Sequence, residues 1–586
     1  MATSDPRQHS AIDPTNIVPS VVAIGLAALL FRLWFLQIVR GDELSRRAEM
    51  RNEIRREIPA PRGLIVDRNG RPLASVTPRL AVMVTPDGIA NDMNAIHTLA
   101  SLMGDDAAAL KKAIKDNSFR KQLPFVAKVG ITVQQALAIE ERKQFLPGVE
   151  VGTVTARTYP AGEACTHVIG YVGAVTPEDL ARYESKQLKL PSFAGHSGIE
   201  RKFDEFLIGT PGGETVMVDS RNRRIAPPTP WKGSPGDKLV LTIDLRLQKK
   251  ATELLKGHKG AIVAMKPSTG EVLCLASGPT YDPNALIGPD RGKSFRGLSA
   301  DANLPMFNRA ISGAFGPGST FKIVTLIAAI RNGIVTPSTT FVCNGRMKIG
   351  NTVFRCLGNH GRVDYEHALR DSCNIFFANL ALKLSREQIM EVASELGFGE
   401  KTGVDLLGEQ TGTLPWDSLI KKRKMNWYQG DNMNLSVGQG MVSVTPVQMA
   451  AYACLLANNG TLFKPHILLS RTPSMPSDAL PQLVEPEVAR SVNLDTEWWR
   501  RIHNAMVSVV DNGTGHLAQI PGIKIAGKTG SADWDAKQRS HAWFIGFAPA
   551  DNPQIAFAIV VEAGGRGGRE AAPLAKQLVE EYLKSG

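Results

Sequence analysis

Residues 317–333, Pro-Gly-Ser-Thr-Phe-Lys-Ile-Val-Thr-Leu-Ile-Ala-Ala-Ile-Arg-Asn-Gly, form an apolar run punctuated at both ends. Pro317 and Gly318 precede it, Asn332 and Gly333 close it, and this asymmetry predicts a helix with its N-terminus at Ser319. Residues three apart share a helical face, so the Lys322 amine is within reach of the Ser319 hydroxyl. The helix dipole favours negative charge at that end. An aliphatic hydroxyl is a poor nucleophile until an adjacent base takes its proton, and Lys322 is the candidate base. An ammonium cannot act as a base, so its pKa has to fall by about three units, through burial and a second nearby cation.

The Ser-x-x-Lys spacing alone is weak, because Ser118–Lys121 and Ser418–Lys421 repeat it. Company separates Ser319. Ser372-Cys373-Asn374 begins 53 residues after Ser319, within a segment patterned as a helix. Lys528-Thr529-Gly530-Ser531 comes 154 residues after Asn374, leaving one strand and facing another. Ser491-Val492-Asn493 and Lys401-Thr402-Gly403 are decoys; Lys401 follows Asn374 by only 27 residues and has no strand before it. Only the set 319, 372 and 528 combines order with local structure.

Outward from this set, 238–243 alternates as a strand, a helix runs to about Leu255, and 261–265 with 272–276 reads as a hairpin. Strands recur at 522–526, 541–547 and 554–562, then a helix starts near 571. The pattern is α+β: an antiparallel sheet, N- and C-terminal helices on one side, and an inserted helical subdomain. A Pro- and Gly-rich stretch, 226–237, marks a domain boundary. Before it, Arg62–Gly70 carries an Asn-Gly hairpin signal, 80–190 mixes strands and helices, and an amphipathic stretch begins at Gly195 and ends near Gly209.

At 586 residues, with 43% apolar and 21% charged residues, the chain is long enough for two or three folded domains. The net charge of +12 is scattered among acids without an aromatic-studded stripe, which excludes a nucleic-acid partner and suits anionic headgroups or an anionic wall. Residues 17–39 carry one charge, Arg32, and are long enough to cross a bilayer. No small-residue cleavage site follows, so they read as an uncleaved signal anchor after a cytoplasmic tail, residues 1–16. Arg40, Arg46, Arg47 and Arg51 outnumber Arg7, which by the charge rule alone places the C-terminal side in the cytoplasm. Large domains translocate despite flanking charge, so orientation follows from the chemistry.

The ordered triple S-x-x-K, S-x-N, K-T-G resembles the signature of penicillin-binding proteins and serine β-lactamases. With 62–70 (RGLIVDRNG), 198–212 (GIERKFDEFLIGTPG), Asn426–Asp431 (NWYQGD), 436–440 (SVGQG) and 444–450 (VTPVQMA), the chain resembles a class B penicillin-binding protein of the elongation branch, PBP2. The resemblance implies a serine β-lactamase-like transpeptidase domain over 235–586, preceded by an elongated pedestal, 40–230, with a head at about 80–190. It implies a peptidoglycan D,D-transpeptidase held at the bacterial inner membrane with its catalytic domain outside the cytoplasm. Ser319 would attack a stem peptide's penultimate D-Ala carbonyl, with Lys322 as base and no catalytic cofactor. Ser372 would relay a proton, Asn374 bind the peptide backbone, and Lys528 depress Lys322. Thr529 and Ser531 hydroxyls, beside Gly530, would hold the terminal carboxylate, and the Ser319 and Ser531 N–H groups form the oxyanion hole. β-Lactams would acylate the same serine. Implied partners are a SEDS-family glycosyltransferase and elongation scaffold proteins.

Three of six cysteines cluster with a histidine: Cys343, Cys356, His360 and Cys373. Four such ligands suit tetrahedral Zn²⁺. A Cys343–Cys356 disulfide, or three small buried side chains, are the competing readings. Members of the elongation branch can carry a metal here, which favours a structural zinc. Cys165, Cys274 and Cys454 lie in apolar surroundings and read as core. Rival functions are a D,D-carboxypeptidase, resolved by water; a β-lactamase, whose deacylating Glu has no candidate; a β-lactam sensor; and the division-type transpeptidase, against which the NWYQGD segment counts.

Overall fold

A computed structural model of the chain describes residues 14–44, 53–58, 60–118, 124–186, 188, 191, 193–217, 226–287, 291–349, 352–476, 478–533 and 540–584. Residues 1–13 of the expected tail, and Arg46, Arg47 and Arg51, lie outside that set.

The chain divides into two compact units, 1–59 with 211–233, and 60–210 with 234–586. The first holds the helix Pro14–Trp34, which continues through a π-helical turn, Phe35–Val39. Pro19–Val39 has a mean hydropathy of 2.1 and none of it is buried. Twenty-one residues rise about 31 Å, enough for a bilayer core. The rest of this unit is a three-stranded antiparallel sheet, Glu53–Ile58, Gly212–Met217 and Thr229–Trp231.

In the second unit, Val272–Gly278, Gly260–Met265, Ile555–Val561, Ser540–Ala548 and Ala526–Asp533 form, in that order, an antiparallel sheet. Its residues alternate between two cores, as the two-residue period of a strand requires. Ile555, Phe557 and Ile559 pack with Leu247, Ala251, Ala575 and Leu578 of the helices Leu245–Leu254 and Gly567–Leu583. Ala556, Ala558 and Val560 face a larger core that includes Ile323, Leu326 and the wholly buried helix Pro446–Ala457. The two terminal helices pack on one face of the sheet, as expected, and the inserted helical subdomain packs on the other.

Two strand expectations change. Lys238–Leu241 joins a different sheet, parallel to Ile65–Val66 and antiparallel to Leu468–Thr472. The last edge strand is Ala526–Asp533, so Lys528-Thr529-Gly530-Ser531 lies inside a strand and not beyond one. Its Lys, Thr, Gly and Ser carry no apolar alternation, which hid it.

Residues 72–158 have their own core. The strands Pro72–Val84, Phe125–Val129 and Val149–Thr158 enclose Val82, Ile96, Leu99, Leu110, Ile139 and Val149 with neighbouring helices. The two motifs on either side of it meet. Arg62 donates to Glu200 Oε2 at 2.6 Å and to Asp204 Oδ1 at 2.7 Å, and Arg157 donates to Glu200 Oε1 at 2.6 Å. Glu200 is fully buried. Burial alone would raise its pKa, but Arg157 and Arg62 hold it below the ordinary carboxylate value. The Asn69-Gly70 turn forms as read, with Gly70 at φ +80 and Asp67 Oδ1 accepting from the Asn69 and Arg71 N–H groups.

Candidate active site

Ser319 sits in a 3₁₀ turn, Gly318–Phe321, and the α-helix begins only at Lys322, three residues later than expected. Gly318 explains the tighter entry. Its φ is +55, its N–H donates to Gly438 O at 2.9 Å, and a Cβ there would stand 2.5 Å from Ser531 O. No side chain fits, and the turn lies directly on the edge strand. Thr320 Oγ1 closes it by donating to Pro317 O at 2.7 Å.

Ser372 is not within a helix. It occupies a break between Tyr365–Arg370 and Asn374–Ala381, in the left-handed region at φ +53. A non-glycine residue there stores strain that the surroundings must hold. Cys373 N–H donates to Ala368 O at 2.8 Å, and Lys322 Nζ donates to the Ser372 carbonyl at 2.7 Å. Lys322 also contacts Ser372 Oγ at 3.1 Å and donates to Asn374 Oδ1 at 2.7 Å. None of these bonds goes to Ser319. Two carbonyl-type acceptors therefore take two amine hydrogens, and a neutral Nζ keeps its lone pair.

Lys528 Nζ arrives on the other side of Ser372, 3.2 Å from its Oγ, and donates to Thr529 O at 3.1 Å. Both lysines are fully buried. Burial lowers Lys322 to about 7, against an opposing pull from Cys356 and Cys373. Burial, then repulsion by Lys322, holds Lys528 well below an ordinary lysine. Burial is the main cause of both shifts, and the repulsion between the two amines is mutual, so each opposes protonation of the other.

Gln439 Nε2 donates to Ser531 O at 3.2 Å, so that carbonyl points away from the neighbouring strand. In an antiparallel strand the N–H and C=O of one residue point the same way. The Ser531 N–H therefore shares the open edge with the Ser319 turn. Gly530 makes the close approach possible, since a Cβ would stand 2.8 Å from Pro317 O and 2.9 Å from Thr320 Cγ2. The Thr529 hydroxyl pairs with Thr514 Oγ1 at 2.6 Å, and Ser531 Oγ accepts from Gly567 N–H at 3.3 Å. One Asn374 amide hydrogen goes to Arg355 O at 3.0 Å, leaving one over. Sequence reading missed Gln439 and Thr514. Both follow turn signals, Ser436-Val437-Gly438 and Asp511-Asn512-Gly513, but nothing local marks them as chemical.

All six cysteines are free thiols, so the Cys343–Cys356 bridge is not formed. The ligand atoms of Cys343, Cys356, His360 and Cys373 lie within 4.8 Å of one another. Tetrahedral Zn²⁺, with Zn–S about 2.3 Å and Zn–N about 2.0–2.1 Å, requires S···S of about 3.8 Å and S···N of about 3.5 Å. Cys356 Sγ to Cys373 Sγ is 3.8 Å, and His360 Nδ1 is 3.5 Å from both Cys343 and Cys356. The donor set fits the ion. Cys356 Sγ also accepts from Asn374 N–H at 3.2 Å, so the cluster reaches the active-site helix. Cys165, Cys274 and Cys454 are buried in apolar cores, where burial pushes their thiols up.

A family model described as the penicillin binding protein transpeptidase domain matches residues 260–580, and one described as the penicillin-binding protein dimerisation domain matches 57–241. The fold and the serine–lysine site define the class: the chain belongs to the penicillin-binding protein family. Within it, the chain is 32% identical, over 96% of its length and 86% of the relative's, to the peptidoglycan D,D-transpeptidase MrdA of Acinetobacter baumannii. It resembles PBP2 in a complex with MreC from Helicobacter pylori, at 27% identity and a TM-score of 0.79, covering 91% of this chain and 99% of that one. A chain from a peptidoglycan synthase complex, described as coordinating polymerization and crosslinking, matches at 28% identity and a TM-score of 0.73, covering 98% and 99%.

Proposed function

We propose that this chain is an elongation-type peptidoglycan D,D-transpeptidase, working through an acyl-Ser319 intermediate. The observation that carries the proposal is the convergence of two buried lysines on Ser372 Oγ, beside a nucleophile turn that abuts the edge strand.

Neutral Lys322 takes the Ser319 proton as Oγ bonds to the penultimate D-Ala carbonyl carbon. The carbonyl electrons move onto oxygen, which the N–H groups of Ser319 and Ser531 receive; losing one such donor typically costs about 3 kcal/mol. Collapse breaks the C–N bond. The proton held at Lys322 passes through the Ser372 hydroxyl to the departing nitrogen, and terminal D-Ala leaves. An amine from a neighbouring stem then attacks the acyl carbon, gives up a proton by the same route, and Ser319 is released. The spare Asn374 amide hydrogen binds the peptide backbone. The Thr529–Thr514 hydroxyl pair and Ser531 take the terminal carboxylate. β-Lactams meet the same serine.

Residues 17–39 serve as the anchor, 40–230 as the pedestal and 235–586 as the transpeptidase domain, with the catalytic domain outside the cytoplasm where its substrate lies. The MreC and synthase complexes of the structural relatives support a scaffold partner and a SEDS-family glycosyltransferase partner here. Cys343, Cys356, His360 and Cys373 would hold a zinc ion with four protein ligands, and its role would be structural rather than catalytic.

Incubation of the full-length protein with uncrosslinked, pentapeptide-bearing glycan separates this reading from a carboxypeptidase. Crosslinked dimers with equimolar D-Ala are expected. D-Ala released with tetrapeptide alone would mean that water resolves the acyl-enzyme.

A further inference from the structure

Residues 341–363 carry four fixed cations, Arg346, Lys348, Arg355 and Arg362, and no carboxylate. The middle of this segment is an antiparallel hairpin, Arg346–Ile349 with Thr352–Arg355. One of its faces is apolar: Met347, Ile349 and Phe354 pack with Ala378 and Ala381 of the active-site helix. By the two-residue period of a strand, Arg346, Lys348 and Arg355 stand on the other face, and all three are exposed. Cys356 N–H donates to Gly345 O at 2.9 Å, so Gly345 and Cys356 face one another as a hydrogen-bonded pair. The next pair, Arg346 and Arg355, is therefore a non-hydrogen-bonded one, with Cα atoms about 4.5 Å apart and side chains at their closest. Like charges directly opposite destabilise a sheet. Neither guanidinium has an ion pair or a hydrogen bond to a described residue.

That arrangement is costly in the free protein and suits an anion. Two guanidinium forks on facing strands match the two oxygens of a carboxylate. The same non-hydrogen-bonded position turns the Arg355 carbonyl outward, and Asn374 Nδ2 donates to it at 3.0 Å. The other hydrogen of that amide is the one that binds the substrate's peptide backbone. Two acceptors of one amide nitrogen stand about 5 Å apart, so the peptide passes within reach of the arginine pair. We infer that Arg346 and Arg355 clamp a free carboxylate on the donor stem peptide, N-terminal to its two D-alanines. The terminal carboxylate is a different anion, held at Thr529 and Thr514. The inference rests on the transpeptidase reading and gives the same substrate a second anchor.

The test uses full-length protein in detergent and the soluble pentapeptide L-Ala-γ-D-Glu-diaminopimelyl-D-Ala-D-Ala, which carries two carboxylates ahead of the D-alanines. It is compared with the same peptide amidated at either one or at both. The readout is the peptide concentration that halves the rate of acylation by a fluorescent penicillin. In wild type, double amidation is expected to raise that concentration about tenfold, and the single amidation that reproduces the rise identifies the carboxylate held. This comparison needs no variant. In the double variant Arg346→Gln, Arg355→Gln the free and amidated peptides are expected to compete equally, whereas loss of a merely structural support would weaken both alike and keep their ratio. A free peptide that competes no better than the doubly amidated one in wild type, or does not compete at all, would overturn the inference, and the pair would then be a solvated face. A tenfold preference that survives in the double variant would overturn it too. Wild type that penicillin acylates, but whose acylation is blind to the peptide's charge, sinks this inference alone. Wild type that penicillin fails to acylate sinks the transpeptidase reading.

Discussion

Acylation should follow the charge on Lys322. Burial lowers its pKa to about 7, and only the neutral amine accepts the Ser319 proton. Because the folded pKa is lowered, the active form is lost as pH falls through it. The neutral fraction rises from about one tenth at about pH 6 to about nine tenths at about pH 8. The second-order rate of acylation by a fluorescent penicillin, measured under pseudo-first-order conditions, should therefore rise about tenfold over that range and then level off. His541 and His503 are not the source of the limb, since burial lowers both from 6.5 and they lose their protons earlier. Lys322→Arg, which cannot be deprotonated, should abolish acylation at every pH while the protein stays folded by circular dichroism. A flat profile, or a limb in the ordinary lysine range near about 10, would refute the assignment of Lys322 as a base lowered by burial.

Other outcomes follow from the same geometry. Glu200→Gln leaves Arg157 buried without a carboxylate and Arg62 with Asp204 alone, and should destabilise the fold by about 3–5 kcal/mol in urea unfolding, with Ser319 chemistry lost only as the protein unfolds. Gly530→Ala puts a methyl 2.8 Å from Pro317 O, so the edge strand must retreat from Ser319. Removal of one oxyanion donor should slow acylation by about 10²–10³-fold, read with the same penicillin, while the melting temperature changes little. Elemental analysis should find one zinc per chain, lost in Cys356→Ser together with a fall in melting temperature. Full zinc occupancy in Cys356→Ser would exclude the four-ligand site.

Much of the site was legible because its chemistry needs fixed residue types in a fixed order. Lys322, Ser372, Asn374 and Lys528 are joined by hydrogen bonds, and Ser319 lies three residues before Lys322 in the turn that leads into its helix. What escaped was local conformation. Gly318 at φ +55 holds Ser319 in a 3₁₀ turn, and Ser372 at φ +53 breaks a helix that its apolar neighbours suggested was continuous. These are strained positions, and hydrophobic periodicity does not report strain. Lys528 to Ser531 hid as a strand because an edge at an active site exchanges apolar alternation for exposed backbone. The apolar N-terminal helix and the sheet's two faces were plain because the pattern of apolar residues alone dictates them. The depression of the two lysines needed three dimensions: sequence shows two cations, but only packing shows that both are fully buried.

The central claim is that Ser319 is the residue acylated, and intact-mass analysis with peptide mapping after incubation with a fluorescent penicillin tests it most directly. One stable adduct per chain is expected, mapping to the peptide that contains Ser319 and absent from Ser319→Ala. Labelling that persists in Ser319→Ala, or maps to Ser418 beside its decoy Lys421, would contradict it.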